Sequence, residues 1–170
     1  MSNRKTAVLR CVALGALAAV ALSARPALAT DTTGSLSVTA TVTSNCAVST
    51  TAVAFGNVDV TLNSNVDAAG GISVVCTNGT AWTAKAGAGA GSGATVTSRK
   101  MTSGANLLNY ALYTDSARTT VWGDGTTGSA ITGTGTGSAQ ASTIYGRVPS
   151  GQTTKPIGSY ADTVTVTVTY

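Results

Sequence analysis

Alternation of apolar and small polar residues constrains this chain more than any other feature. In "SLSVTATV" (35–42), Leu36, Val38, Ala40 and Val42 point one way, and serines and threonines point the other. In "DTVTVTVTY" (162–170), Val164, Val166, Val168 and Tyr170 share one face opposite the threonines. A period of two belongs to half-buried β-strands, and no useful stretch shows a period of 3.6. "VAFGNVDV" (53–60), "GISVVCT" (71–77), "TAWTAKA" (80–86), "NYALYTD" (109–115) and "STIYGRV" (142–148) supply further short strands, punctuated by Gly, Asn, Asp and Pro. The pattern predicts a single all-β domain, an antiparallel sandwich of the immunoglobulin-like kind. The Gly-rich runs 86–94 and 132–138 fit hairpin loops or strand ends.

Residues 1–29 have the layout of a secretory signal. Arg4, Lys5 and Arg10 precede an apolar run from Cys11 to Leu22, and Ala27 and Ala29 form a small-residue cleavage site. The apolar run is shorter than the roughly 20 residues of a spanning helix, so cleavage before Thr30 is expected over membrane retention. Removing those residues also removes Arg4, Lys5, Arg10 and Arg25, leaving six basic residues against six aspartates. A near-neutral chain has no basic patch for nucleic acid, so none is expected as a partner.

Two cysteines then remain, Cys46 and Cys76. An oxidising compartment favours their pairing; the alternative is two thiols buried as small hydrophobes.

The chain contains neither His nor Glu. Ser-His-Asp and Cys-His chemistry are excluded, along with the commonest metal ligand, and catalysis would rest on scattered aspartates. Asp115 and Asp124 adjoin turn residues, where Asp usually accepts from nearby backbone N–H groups. The Gly-rich runs lack the P-loop pattern and any strand-to-helix G-x-G-x-x-G context, and 124–129 has a single carboxylate where a calcium loop uses several. No catalytic residue, metal or cofactor is expected. Trp82, Tyr110, Tyr113, Trp122 and Tyr145 are expected to fill the core of a sandwich built mostly from small residues, in preference to forming a sugar-stacking platform.

The alternating strands near the two ends of the chain carry little that discourages edge pairing. They pair with each other, within their own sheets, or with another chain.

The segments "NCAVS" (45–49), "VVCTNGTAW" (74–82), "YALYTDSARTTVWGDG" (110–125), "IYGRVPSGQ" (144–152) and "PIGSYADTVTVTVTY" (156–170) resemble the spore coat protein U domain family, whose best understood members are pilins of archaic chaperone-usher pili. The resemblance runs from about residue 34 to 170. It implies an incomplete immunoglobulin-like sandwich (a pilin fold) at 45–170, completed by a donor strand from a neighbouring subunit. Residues 30–44 would be the donor segment, with Leu36, Val38, Ala40 and Val42 as its plugs. Cys46 and Cys76 would form the family's disulfide. Val164, Val166, Val168 and Tyr170 would flank the groove and pair first with a periplasmic chaperone, whose basic residues would grip the Tyr170 carboxylate. Implied partners are this chaperone, an outer-membrane usher, and further copies of the chain or other pilins. The implied location is a surface pilus reached through the periplasm, serving attachment and biofilm formation. Two other outcomes compatible with the residues are a secreted binding module, such as a tip adhesin or lectin-like domain, and a structural spore-coat protein.

Overall fold

The computed structural model describes residues 28–170, so all but the last two residues of the expected signal, 1–29, lie outside the described residues. The chain divides into two units, Met1–Thr39 and Ala40–Tyr170. Of the first, residues 28–39 are described; they are exposed and belong to no helix or strand.

The second unit holds eight strands: β1 (Cys46–Thr51), β2 (Val66–Cys76), β3 (Ala81–Ala86), β4 (Arg99–Ser103), β5 (Asn106–Tyr113), β6 (Ile131–Thr134), β7 (Gln140–Val148) and β8 (Val166–Thr169). One sheet has the order β1-β2-β7-β5-β4 and the other β6-β3-β8, with every pairing antiparallel. The inward faces interleave as the alternation requires. Ile72 and Val74 of β2, Leu108, Tyr110 and Leu112 of β5, and Ile144 and Val148 of β7 meet Trp82, Ala84 and Ala86 of β3.

Because β3 offers only alanines beside Trp82, large side chains from elsewhere, Trp122 among them, fill the space over Ala84 and Ala86. Trp82 donates Nε1–H to Gln140 Oε1 at 3.2 Å, and Trp122 donates to the Ala84 carbonyl at 3.4 Å, so both rings bury their polar edge with a partner. Gly133 lies against the Trp82 ring, where a Cβ would stand 2.5 Å from Cζ2. Trp82, Tyr110 and Trp122 are core residues, and none offers an exposed face for a sugar.

Cys46 and Cys76 are bonded, and they stand directly opposite each other in the β1–β2 ladder. The bridge closes a loop with a sequence separation of 30 and should stabilise the domain by about 3.5 kcal/mol in the chain-entropy account. It fastens β1, the edge strand, to the sheet.

Several sequence expectations change. The stretch 53–60 is not a strand; it runs as irregular chain into a 3-10 turn, Val60–Leu62, capped by the Asp59 carboxylate. The alternating stretch 35–42 forms no strand either, because period two describes a side-chain pattern and a ladder also requires a partner. At the other end, only Val166–Thr169 of 162–170 is ladder-paired as a strand. β1, β4 and β6 form where alternation is weak or short.

Acid response follows from the aspartates. The hydrogen-bonded Arg147 guanidinium holds the Asp67 carboxyl below its usual value, partial burial opposes this, and the Arg118 charge adds to it. Asp115 is held low mainly by the Thr120 backbone N–H, and Asp124 by that of Thr127. A carboxylate whose folded pKa is depressed contributes stability above its unfolded pKa, and that contribution disappears as pH falls through the folded value. With no His in the chain, the melting temperature should be flat from about pH 8 to pH 5 and should fall below the ordinary Asp value of 3.8. Melts across that range test this, and Asp67→Asn should shallow the acid slope.

Candidate functional site

β1 and β8 are each the edge of their sheet. β2 covers one side of β1 and β3 one side of β8, while their other sides have no strand partner among the described residues. An open groove of about 940 Å³ lies between their extensions. One rim is Thr50–Val58, continuing from β1, and the other is Lys155–Val164, leading into β8, with Val166. Ile72, Leu108, Tyr110, Leu112, Trp122 and Ile144 form the floor, so the groove opens directly onto the core.

The rims are shaped locally. Val53 and Phe55 reach in over β7 because Gly146 has no side chain there; a Cβ would stand 2.6 Å from Val53 Cγ1 and 2.8 Å from Phe55 Cζ. Phe55 meets Tyr110 edge to face, with centroids 6.2 Å apart. On the opposite rim, Ala161 exchanges backbone hydrogen bonds with Thr102, and the Thr165 carbonyl accepts from Gly87 N–H. This rim is therefore held on one side only. Val164 and Val166 turn into the groove while Thr165 and Thr167 face solvent.

A polar pin fixes the β8 rim. Asp162 accepts from Tyr110 Oη at 2.6 Å, from Ala90 N–H at 2.8 Å and from Thr163 N–H at 2.8 Å. Beside it Arg99 is fully buried, donating to the carbonyls of Gly87 and Val96 at 2.9 Å, Trp122 at 2.8 Å and Ala86 at 3.4 Å. Burial lowers the Arg99 pKa, with Tyr110 and Asp162 opposing, but a guanidinium stays charged. Burial, followed by the hydrogen bond to Asp162, pushes the Tyr110 phenol far above its ordinary range, so it remains a neutral donor.

The sequence-predicted residues fall in distinct places. Leu36, Val38 and Val42 are between 84 and 87% exposed, and Ala40 is exposed too. Val164 and Val166 line the groove; Val168 packs on the core outside that lining. Tyr170 is exposed, its hydroxyl donating to Asn45 Oδ1 at 3.5 Å. Sequence reasoning missed the Thr50–Val58 rim, the floor and the Arg99–Tyr110–Asp162 pin. Alternation in 71–77, 109–115 and 142–148 carried a signal for the floor; nothing local carried one for the pin.

Taken together, the two sheets with one flank open define an incomplete immunoglobulin-like sandwich. The Spore Coat Protein U domain model matches residues 32–167, and the chain belongs to that family, which is structural and non-enzymatic. Among solved structures it is similar to the CsuC–CsuE chaperone–tip adhesion subunit pre-assembly complex from archaic chaperone-usher Csu pili of Acinetobacter baumannii. That match has a TM-score of 0.54 and 23% identity, covering 76% of this chain and 40% of that chain. At this identity the likeness concerns the fold, and the chain spans less than half of the matched one. No curated protein matches.

Proposed function

We propose that this chain is a pilus subunit that polymerises by donor-strand complementation. Residues 30–44 of one copy, with Leu36, Val38, Ala40 and Val42 directed inward, fill the groove of the next, after a periplasmic chaperone has lent its own strand and an outer-membrane usher has exchanged it. Residues 1–29 act as the cleaved signal, and 45–170 as the acceptor domain. The finished fibre stands on the cell surface and supports attachment and biofilm formation. The observation that carries this reading is the coincidence, in one chain, of an apolar groove between two unpaired strand edges and a strand-patterned segment with uncovered side chains. Adding a strand to a sheet edge supplies main-chain hydrogen bonds while alternate side chains fill pockets, which is how pilins are known to assemble.

With chaperone and usher co-expressed, the protein should run as a ladder of oligomers on denaturing gels without boiling. Val38→Asp places a carboxylate in the dry groove and should collapse the ladder to monomer. A ladder that persists unchanged in Val38→Asp sinks the reading.

A further inference from the structure

Two aromatics singled out in the sequence, Tyr113 and Tyr145, lie outside the core. They stand directly opposite each other across β5 and β7, half-buried, on the face of the large sheet turned away from the groove. The neighbouring row on that face is Asp67, Arg147 and Ala111. Arg147 donates Nε–H and Nη2–H to Asp67 at 2.7 and 2.9 Å, and Arg118 Nη1 lies 3.3 Å from the same carboxylate. One carboxylate therefore answers two guanidiniums, and the patch keeps a net positive charge.

Arg118 is held there against its backbone preference. Its φ of 59° lies in the left-handed region, which residues other than glycine enter uncommonly. The Asp115 carboxylate fixes this turn by accepting from the backbone N–H groups of Thr119 and Thr120. Arg118 then donates Nε–H to the Gly146 carbonyl at 3.2 Å and Nη1–H to that of Ser116 at 3.0 Å, and its Cζ stands 5.6 Å from the centroid of the Tyr145 ring. Its Nη2 has no acceptor among the described residues, and the hydroxyls of Tyr113 and Tyr145 have no partner there either. What the patch leaves unmet is donors, which suits a ligand rich in acceptor oxygens.

Beside Tyr145 the sheet has a gap. β5 leaves the ladder at Tyr113, whereas β7 starts at Gln140, so residues 140–143 have β2 as their strand partner on one side only. A notch of about 390 Å³ occupies this gap, lined by Thr114, Ile131, Ser142, Thr143 and Tyr145. Three aliphatic hydroxyls, one hydrocarbon side chain and a phenol match the two characters of a pyranose ring, its hydroxyl edge and its C–H face. The volume falls at the small end of the range for small-molecule sites.

We infer that the notch and Arg118 together bind an acidic sugar residue of a polysaccharide. The pyranose ring sits in the notch and its carboxylate accepts from Arg118 Nη2, next to the Tyr145 ring that the two share. The binding itself needs no polymer. In a fibre each copy presents the site once, so repetition turns a weak contact into a durable one.

Retention on beads tests it. The purified protein is passed at physiological salt over polygalacturonate, its methyl ester, or dextran sulfate. Polygalacturonate is expected to retard the parent, while the methyl ester, which keeps the ring and loses the charge, is not. Arg118→Gln should weaken retention on polygalacturonate roughly tenfold, as for the loss of a charge-assisted hydrogen bond. Because Arg118 also braces its turn, Thr143→Trp serves as a second variant. It changes an exposed residue, fills the notch, leaves the guanidinium contacts in place, and should abolish retention with the melting temperature unchanged. A parent that passes polygalacturonate freely overturns the inference, and so does equal retention on the methyl ester or on dextran sulfate. Retention undiminished in Thr143→Trp overturns it too, whatever Arg118→Gln does. Neither variant touches the groove, so these outcomes leave the polymer reading standing.

Discussion

A domain lacking residues 30–44 should melt about 10 °C higher when a peptide of residues 33–44 is present at a hundred times its dissociation constant. Ligand binding confined to the folded state contributes about 2.7 kcal/mol at that excess, and a domain of this size gains several degrees per kcal/mol. The apolar lining supplies the affinity: Val164 and Val166 on one rim and Val53 and Phe55 on the other leave a trough open onto Leu108, Leu112 and Ile144. Burying four aliphatic or small side chains there contributes on the order of 4 to 8 kcal/mol before ordering costs. The Val38→Asp peptide should give no rise. A domain indifferent to both peptides would show that the sandwich needs nothing added.

Arg99→Leu should lower stability by about 3 to 5 kcal/mol, a drop in melting temperature of roughly 10 °C or more. The guanidinium holds four backbone carbonyls, of Ala86, Gly87, Val96 and Trp122, none of which has another side-chain donor. An apolar replacement leaves the Ala86 and Trp122 carbonyls buried, and those of Gly87 and Val96 partly buried, without this donor, which costs more than the charge's own burial returns. Arg99→Lys keeps the charge but has a compact ammonium in place of the planar fork, so it should recover only part of the loss. Since Asp162 and Tyr110 adjoin this network, the leucine variant should also weaken peptide binding. Melts that place Arg99→Leu level with the parent would overturn this account.

Strands inside a sheet were readable from side-chain order. In 142–148 and 71–77 one face is covered along most of the length, so Ile144, Val148, Ile72 and Val74 were forced to alternate with polar neighbours. β1 escaped notice because its "CAVSTT" is exposed along almost its whole length, leaving composition free to vary. β4 reads "RKMTS", and a sequence reader places Arg99 and Lys100 in solvent; the guanidinium is instead held by the carbonyls of Val96, Gly87, Ala86 and Trp122, three of them 12 to 23 residues away. The groove was invisible for a related reason: its rims come from 50–58 and 155–166, which meet only after both sheets form. The stretch 53–60 carried strand-like residues yet has no ladder, because its apolar groups serve a rim.

The separation of the alternating segment from the groove has a genetic consequence. If one copy completes the next, the instructions for a finished domain are divided between two polypeptides, and alleles need not behave recessively. A subunit with a dead segment and a sound groove still accepts a neighbour but can offer nothing onward; one with a sound segment and a blocked groove does the reverse. Each would poison a mixed population at a different end of the growing chain. Two such alleles, each inert alone, would together yield pairs and no fibres.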